Sequence, residues 1–232
     1  MPADFQPTVL ALDAAGGACS AALWCEGTLA ARRWEEMTRG HAEALMPMVE
    51  AVVGETGYGS VDLLCVGTGP GGYTGLRIAL AALRGLALAT GLPVLGVANF
   101  DMHHALARRI YPDGPMAVIL ETRRADFYVQ TYDAAGRPVG APDVLAGTEL
   151  ASRLMSLGSG VVLAGDAVTR FQDTPDIAGV DDTLMVPQHA DAAVLAELGA
   201  LRFSDASHVP PRPLYLRPPD TSPPASDRQR LR

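Results

Sequence analysis

Apolar positions along this chain follow two rhythms. Short, nearly unbroken apolar runs at Thr8–Asp13, Val61–Val66, Pro93–Val97 and Val161–Ala164 have the length and composition of buried strands. Ala18–Trp24 and Thr28–Trp34 predict a hairpin with Glu26-Gly27 at its turn. Met116–Leu120 and Asp126–Tyr132 predict a second strand pair around the charged turn Glu121–Arg124. Helical spacing appears over Gly40–Val53, with Leu45, Met48, Val49 and Val52 on one face, and Pro47 predicts a kink or restart there. Further helices are predicted at Thr74–Thr90, Thr148–Leu157 and Asp191–Phe203. A meander followed by strand–helix–strand units predicts a mixed sheet flanked by helices, and the second half repeats the theme as a similar half-domain.

The helix at Thr74–Thr90 is apolar on two sides. At 100° per residue, Leu76, Leu80, Leu83 and Ala87 share one face. Thr74, Ile78, Ala81, Ala82, Gly85 and Ala89 cluster on the other, with Arg77 and Arg84 between. One face covers a sheet; the other, built of small residues, lets a second helix approach, either within the chain or across an interface.

This helix follows the chain's most informative stretch, Gly67-Thr-Gly-Pro-Gly-Gly-Tyr-Thr-Gly75. Strand, glycine loop and helix in that order often hold a phosphate at the helix N-terminus. Gly67, Gly69 and Gly72 fit the dinucleotide pattern, but no acidic residue lies between Thr68 and Phe100 to bind a ribose hydroxyl. A Walker A loop is excluded because it needs a lysine on the phosphates.

Indeed the chain has no lysine; all 18 basic residues are arginine, which excludes lysine Schiff-base chemistry. A net charge of −8 argues against broad electrostatic binding of nucleic acid. Cys19, Cys25 and Cys65 form no C-x-x-C pair and read as small buried hydrophobes in a reducing compartment. Met1–Pro7 lacks the marks of a signal peptide and no apolar run is long enough to span a membrane, so a cytoplasmic protein is expected. The five histidines, His41, His103, His104, His189 and His208, have no metal-site spacing. No G-x-S-x-G elbow occurs. Asp13 ends the first strand before Gly16-Gly17, where it can cap the turn through an Asx hydrogen bond.

Three segments together carry a family resemblance. Leu10-Ala-Leu-Asp13 with Ala18-Cys-Ser20, His41-x-Glu43-x-Leu45-x-Pro47, and Gly69-Pro70-Gly71-Gly72-Tyr73-Thr74-Gly75-Leu76-Arg77-Ile78 resemble the TsaB (YeaZ) family in order and spacing. Pro213-Leu-Tyr-Leu-Arg217 extends the likeness towards the C-terminus. Gly72 stands where the family usually has serine.

The resemblance implies an α/β actin/Hsp70-like (ASKHA) fold of two lobes, with mixed five-stranded sheets flanked by helices. The lobes are expected at 1–102 and 103–217, with a disordered tail at 218–232. It implies a non-catalytic scaffold in threonylcarbamoyladenosine modification of tRNA, next to the anticodon. The partner implied is the related transferase subunit, TsaD, joined by the ATPase TsaE, while another enzyme supplies threonylcarbamoyl-AMP. The tRNA would be met through the complex, ATP or ADP would bind only in the assembly, and a homodimer would form without the partner.

The expected partner surface comprises His41, Leu45, Met48, Val49, Val52, Thr74, Arg77, Ile78, Ala81, Ala82, Gly85 and Ala89, with Ala82 and Gly85 central. Gly69, Pro70, Gly71, Gly72 and Gly75 form a structural loop. No catalytic, cofactor or metal residue is assigned to this chain. Asp13-Ala-Ala-Gly16 is a degraded first phosphate loop, and Leu120-Glu-Thr-Arg123 stands where a second would be. The rival reading is a small-molecule kinase or nucleotide hydrolase of the same fold, which needs intact phosphate loops and paired carboxylates.

Overall fold

A computed structural model of the chain describes residues 5–175, 184–186 and 189–217. The expected tail at 218–232 lies outside them. Three strands open the chain as a meander: β1 (Val9–Asp13), β2 (Ala18–Cys25) and β3 (Thr28–Glu36). Both residues of the β2–β3 turn have positive φ, Glu26 at 50° and Gly27 at 73°, the backbone that a tight hairpin needs. Then come α1 (His41–Val53), β4 (Leu63–Gly67), α2 (Tyr73–Thr90), β5 (Val94–Val97) and α3 (Asn99–Arg108). The sheet order is β3-β2-β1-β4-β5, antiparallel through the meander and parallel from β1 to β5.

The same succession then repeats. β6 (Met116–Glu121), β7 (Asp126–Tyr132) and β8 (Pro138–Ala146) form a meander, followed by α4 (Gly147–Ser156), β9 (Val162–Ala164), α5 (Val168–Gln172), β10 (Leu184–Val186) and α6 (Ala192–Leu201). The second sheet reads β10-β9-β6-β7-β8, so each strand has a counterpart of the same rank and direction in the first. This is the two-lobed actin-like arrangement that the resemblance implies.

The lobes are joined by an exchange. α1 and α2 cover one face of the first sheet, where Leu45, Val49, Leu76, Leu80 and Leu83 pack on Leu10, Leu12, Leu64 and Val66. The opposite face is covered by α6, whose Val194, Leu195 and Leu198 meet Val9, Ala11, Leu63 and Cys65. Reciprocally, α3 sends Phe100 and Ala107 beneath the second sheet, against Met116, Val118 and Val162.

Two expectations change as a result. A lobe boundary at 102 falls inside α3, a continuous helix. Residues beyond 191 do not belong to the second lobe alone, because α6 finds its apolar cover on the first sheet. α6 is apolar around most of its circumference, as a helix enclosed between layers must be. Pro47 does not restart α1, which runs unbroken over 13 residues.

Candidate functional site

Each lobe's first strand ends in a carboxylate, Asp13 as the last residue of β1 and Glu121 as the last of β6, and both face a cleft of about 630 Å³ between the lobes. Asp13 is buried, and its Oδ1 accepts the Ala15 N–H at 3.4 Å, the turn-capping role its position suggests. Burial pushes its carboxyl up to about 6. Only glycine fits opposite it, since a Cβ on Gly67 would overlap Asp13 Oδ1. Glu121 is already engaged: Arg170 Nε donates to its Oε2 at 2.7 Å, and the Arg123 N–H reaches its Oε1. Asp166 accepts the Glu121 N–H at 2.9 Å, and burial raises its carboxyl above the usual range. His103, from α3, is buried on the cleft floor; burial and nearby His189 push its imidazole down to about 3. Among the described residues, no group of three His, Cys, Asp or Glu side chains could hold a metal ion.

The glycine loop serves the chain's own backbone. Cβ atoms on Gly71 and Gly75 would overlap the carbonyl oxygens of Ala15 and Ala14. Gly72 N–H donates to Ala15 O at 2.6 Å. The loop and the first turn of α2 are therefore packed side by side with the β1–β2 turn, and both line the cleft. Gly69, at φ +91° before a cis Pro70, is fixed from the other side by Asn99, which donates its N–H to Gly69 O at 2.8 Å and accepts the Gly69 N–H at 3.3 Å. Sequence reasoning missed Asn99; its position, opening the helix directly after β5, was the available signal.

The Pro213–Arg217 segment crosses the cleft as a strap. Leu214 N–H bonds Thr68 O at 2.8 Å in the first lobe, while Leu214 and Leu216 pack on the apolar cluster beneath the second sheet. Arg217 pairs with Asp126 of β7. Tyr215 faces back, its ring 5.5 Å from Tyr73, and its hydroxyl accepts from Arg77 Nε at 3.0 Å. The Arg77 guanidinium lies 3.8 Å over the Tyr73 ring.

The predicted partner surface divides. Thr74, Arg77, Ala81, Gly85 and Ala89 are exposed along α2, and nothing lies within 4 Å of a Cβ placed on Gly85. Ile78 and Ala82 are half-buried and packed on the core. Leu45, Val49 and Val52 are buried, so the apolar stripe of α1 faces its own sheet. Met48 is half-buried beside them. His41 starts α1 half-buried; burial, with Arg123 across the cleft, lowers its pKa. Leu88, 90% exposed on α2, belongs to the open face and was missed. It falls between the two apolar stripes on a helical wheel, so periodicity did not single it out. The cysteines all sit in strands; burial pushes the Cys19 thiol up to about 11 and Cys65 up to about 12.

Comparison with known proteins follows the same lines. The family model described as tRNA N6-adenosine threonylcarbamoyltransferase (TsaD) matches residues 34–157. The tRNA threonylcarbamoyladenosine biosynthesis protein TsaB of Haemophilus influenzae is 28% identical over 228 residues, covering 90% of this chain and 93% of that protein. TsaB of Escherichia coli is 41% identical over 93 residues, 39% of this chain and 40% of that protein. The structure of YeaZ from Pseudomonas aeruginosa superposes with a TM-score of 0.76 at 27% identity, over 90% of this chain and all of that one. No helix among the described residues is long and apolar enough to cross a membrane.

Proposed function

The chain belongs to the TsaB (YeaZ) family of tRNA threonylcarbamoyladenosine biosynthesis proteins, and from that premise we propose that it is the non-catalytic partner of a TsaD-like transferase subunit. The observation that carries this reading is the state of the glycine loop. Gly71, Gly72 and Gly75 pack on the Ala14 and Ala15 carbonyl oxygens, so contacts within the chain account for the loop's glycines without a bound phosphate. A kinase or nucleotide hydrolase would also need both cleft carboxylates free for a metal–phosphate, and Glu121 is tied to Arg170.

The open face of α2 supplies the alternative use of the fold. Ala81, Gly85 and Ala89 leave room for a second helix, and Leu88 gives that contact an apolar anchor. The equivalent helices of the transferase subunit would complete a helical bundle on this surface. An interface of standard size buries about 1,600 Å² in total. Docking would favour the partner's active conformation, because a ligand that prefers one state shifts the population towards it. Nucleotide and the TsaE-like ATPase then belong to the assembly, and tRNA is met through it.

The test is co-purification with the TsaD-like subunit followed by mass determination. Gly85→Arg and Ala81→Arg are the informative variants, because both positions are exposed; Ala82 touches the core and would confuse folding with binding. Wild type should give a heterodimer, and both variants should lose it with their melting temperatures intact. Retention of the complex by both would exclude this face.

A further inference from the structure

Carboxylates that this fold draws out of water are commonly answered by arginine: Asp101 by Arg202, Glu121 by Arg170, Asp126 by Arg217 and Asp191 by Arg32. Asp13 and Asp166 depart from that pattern. Asp13 is 4% exposed and Asp166 is half-buried, yet each accepts a backbone N–H instead, from Ala15 and from Glu121. Among the described residues no arginine pairs with either, and the histidine near Asp166, His189, is exposed. Backbone donors leave the charge itself uncompensated, which is costly for a carboxylate taken out of water. Burial accordingly raises both carboxyls above the ordinary range.

The two line the same interlobe cleft, Asp13 from the first lobe and Asp166 from the second. His103 lines it as well; it is 6% exposed, and its Nδ1 has no hydrogen-bond partner. A buried polar atom left bare is rare enough to ask what meets it. Burial keeps this imidazole neutral, and a neutral imidazole offers one ring nitrogen as an acceptor. The three groups therefore share one need, a hydrogen-bond donor, and two of them also need a positive charge. Met102, Leu120 and Leu214 give the same cleft an apolar wall, and its volume of about 630 Å³ is in the range of small-molecule sites.

We propose that this cleft binds a short aliphatic diamine, with its ammonium groups at Asp13 and Asp166, His103 accepting from one of them, and the methylene chain along Met102, Leu120 and Leu214. A metal ion is the poorer occupant, because no group of three His, Cys, Asp or Glu side chains among the described residues could hold one. An ammonium group needs acceptors but no coordination shell, and the apolar wall suits the carbon chain between two such groups. Arg123 and Arg124 also line the cleft, but both are exposed, where water and salt screen their charge. Such a ligand would span the two lobes. The site does not depend on the partner reading above.

Isothermal titration of the full chain with putrescine at pH 8 tests it, with 1,4-butanediol as the uncharged match and magnesium chloride as an inorganic cation. Putrescine should bind saturably at millimolar concentration or below, and neither control should bind. Asp13→Asn and Asp166→Asn each keep an oxygen for the backbone N–H, so both should fold with melting temperatures no lower than wild type. Each should weaken putrescine about tenfold or more, the worth of one hydrogen bond to a charged group. In wild type the ¹⁵N resonances of the His103 ring should move with the same saturation. Absence of saturable binding would overturn the proposal, as would equal binding of either control. Undiminished binding by either folded variant, or an unmoved His103 ring, would also overturn it, by placing the diamine elsewhere on this acidic protein.

Discussion

Gly75, in the first turn of α2, packs so closely on the Ala14 carbonyl oxygen that no side chain can stand between them. Gly71 makes the same approach to Ala15. Gly75→Ala should therefore part the loop from the β1–β2 turn and cost about 3 kcal/mol or more, the scale of a forced core displacement. Gly85→Ala is the matched control: it lies in the same helix, in open space, and should stabilise by about 1 kcal/mol. Chemical denaturation of both variants decides the matter. Equal effects at the two positions would contradict a steric role for Gly75.

The burial of Leu45 separates stability from binding on α1. Leu45→Ala should cost about 2–5 kcal/mol, as for other large-to-small changes in a packed core. Below its lowered melting temperature the variant should still bind the transferase subunit. Loss of binding by a chain that remains fully folded would return this stripe to the interface.

Asp13 gives the chain an unusual pH signature. Its carboxyl titrates near 6 when folded, against 3.8 ordinarily, so the folded chain holds that proton more tightly. Its contribution to stability falls as pH rises from about 4 to 6 and stays low above. His103 works in the opposite sense: its folded value near 3 lies below the usual 6.5, so its contribution is complete above 6.5 and lost as pH falls. Asp13→Asn removes only the first effect. The variant should gain up to about 3 kcal/mol at pH 8, match wild type near pH 3, and lose stability more steeply on acidification. Denaturation midpoints across that range provide the measurement, and a variant weaker than wild type at pH 8 would refute the assignment.

How far the sequence spoke depended on whether a pattern named its own neighbour. β1 and β4 are covered on both faces, so their unbroken apolar runs marked them without ambiguity. The two-sided pattern of α2 also survived, with Leu76, Leu80 and Leu83 inside and Ala81 and Gly85 out. On α1, periodicity found the stripe of Leu45, Val49 and Val52 but not what it faces; only the sheet beneath it settles that. α3 escaped notice because His103, His104 and Asp101 dilute its apolar face. The exchange of α3 and α6 between lobes is set by which apolar faces lack cover, a property no local window contains. The cleft residues Asp13, His103 and Asp166 come from three separate elements, so their meeting could not be read from spacing.

Tyr215 holds the strap from an exposed position, so its effect should be local. The ring rests against Tyr73 and its hydroxyl takes the Arg77 bond, while the Leu214 N–H lies one residue away on Thr68 O. Tyr215→Phe keeps the ring and loses the hydroxyl; Tyr215→Ala loses both. Amide exchange at Leu214 should be nearly unchanged in the first and clearly faster in the second, with exchange in β1 and β4 unaffected in either. The reason is that local opening exposes a segment with few buried contacts well before the core strands open. If Tyr215→Phe accelerated exchange as much as Tyr215→Ala, the Arg77 hydrogen bond rather than the aromatic contact would be the element holding the strap across the cleft.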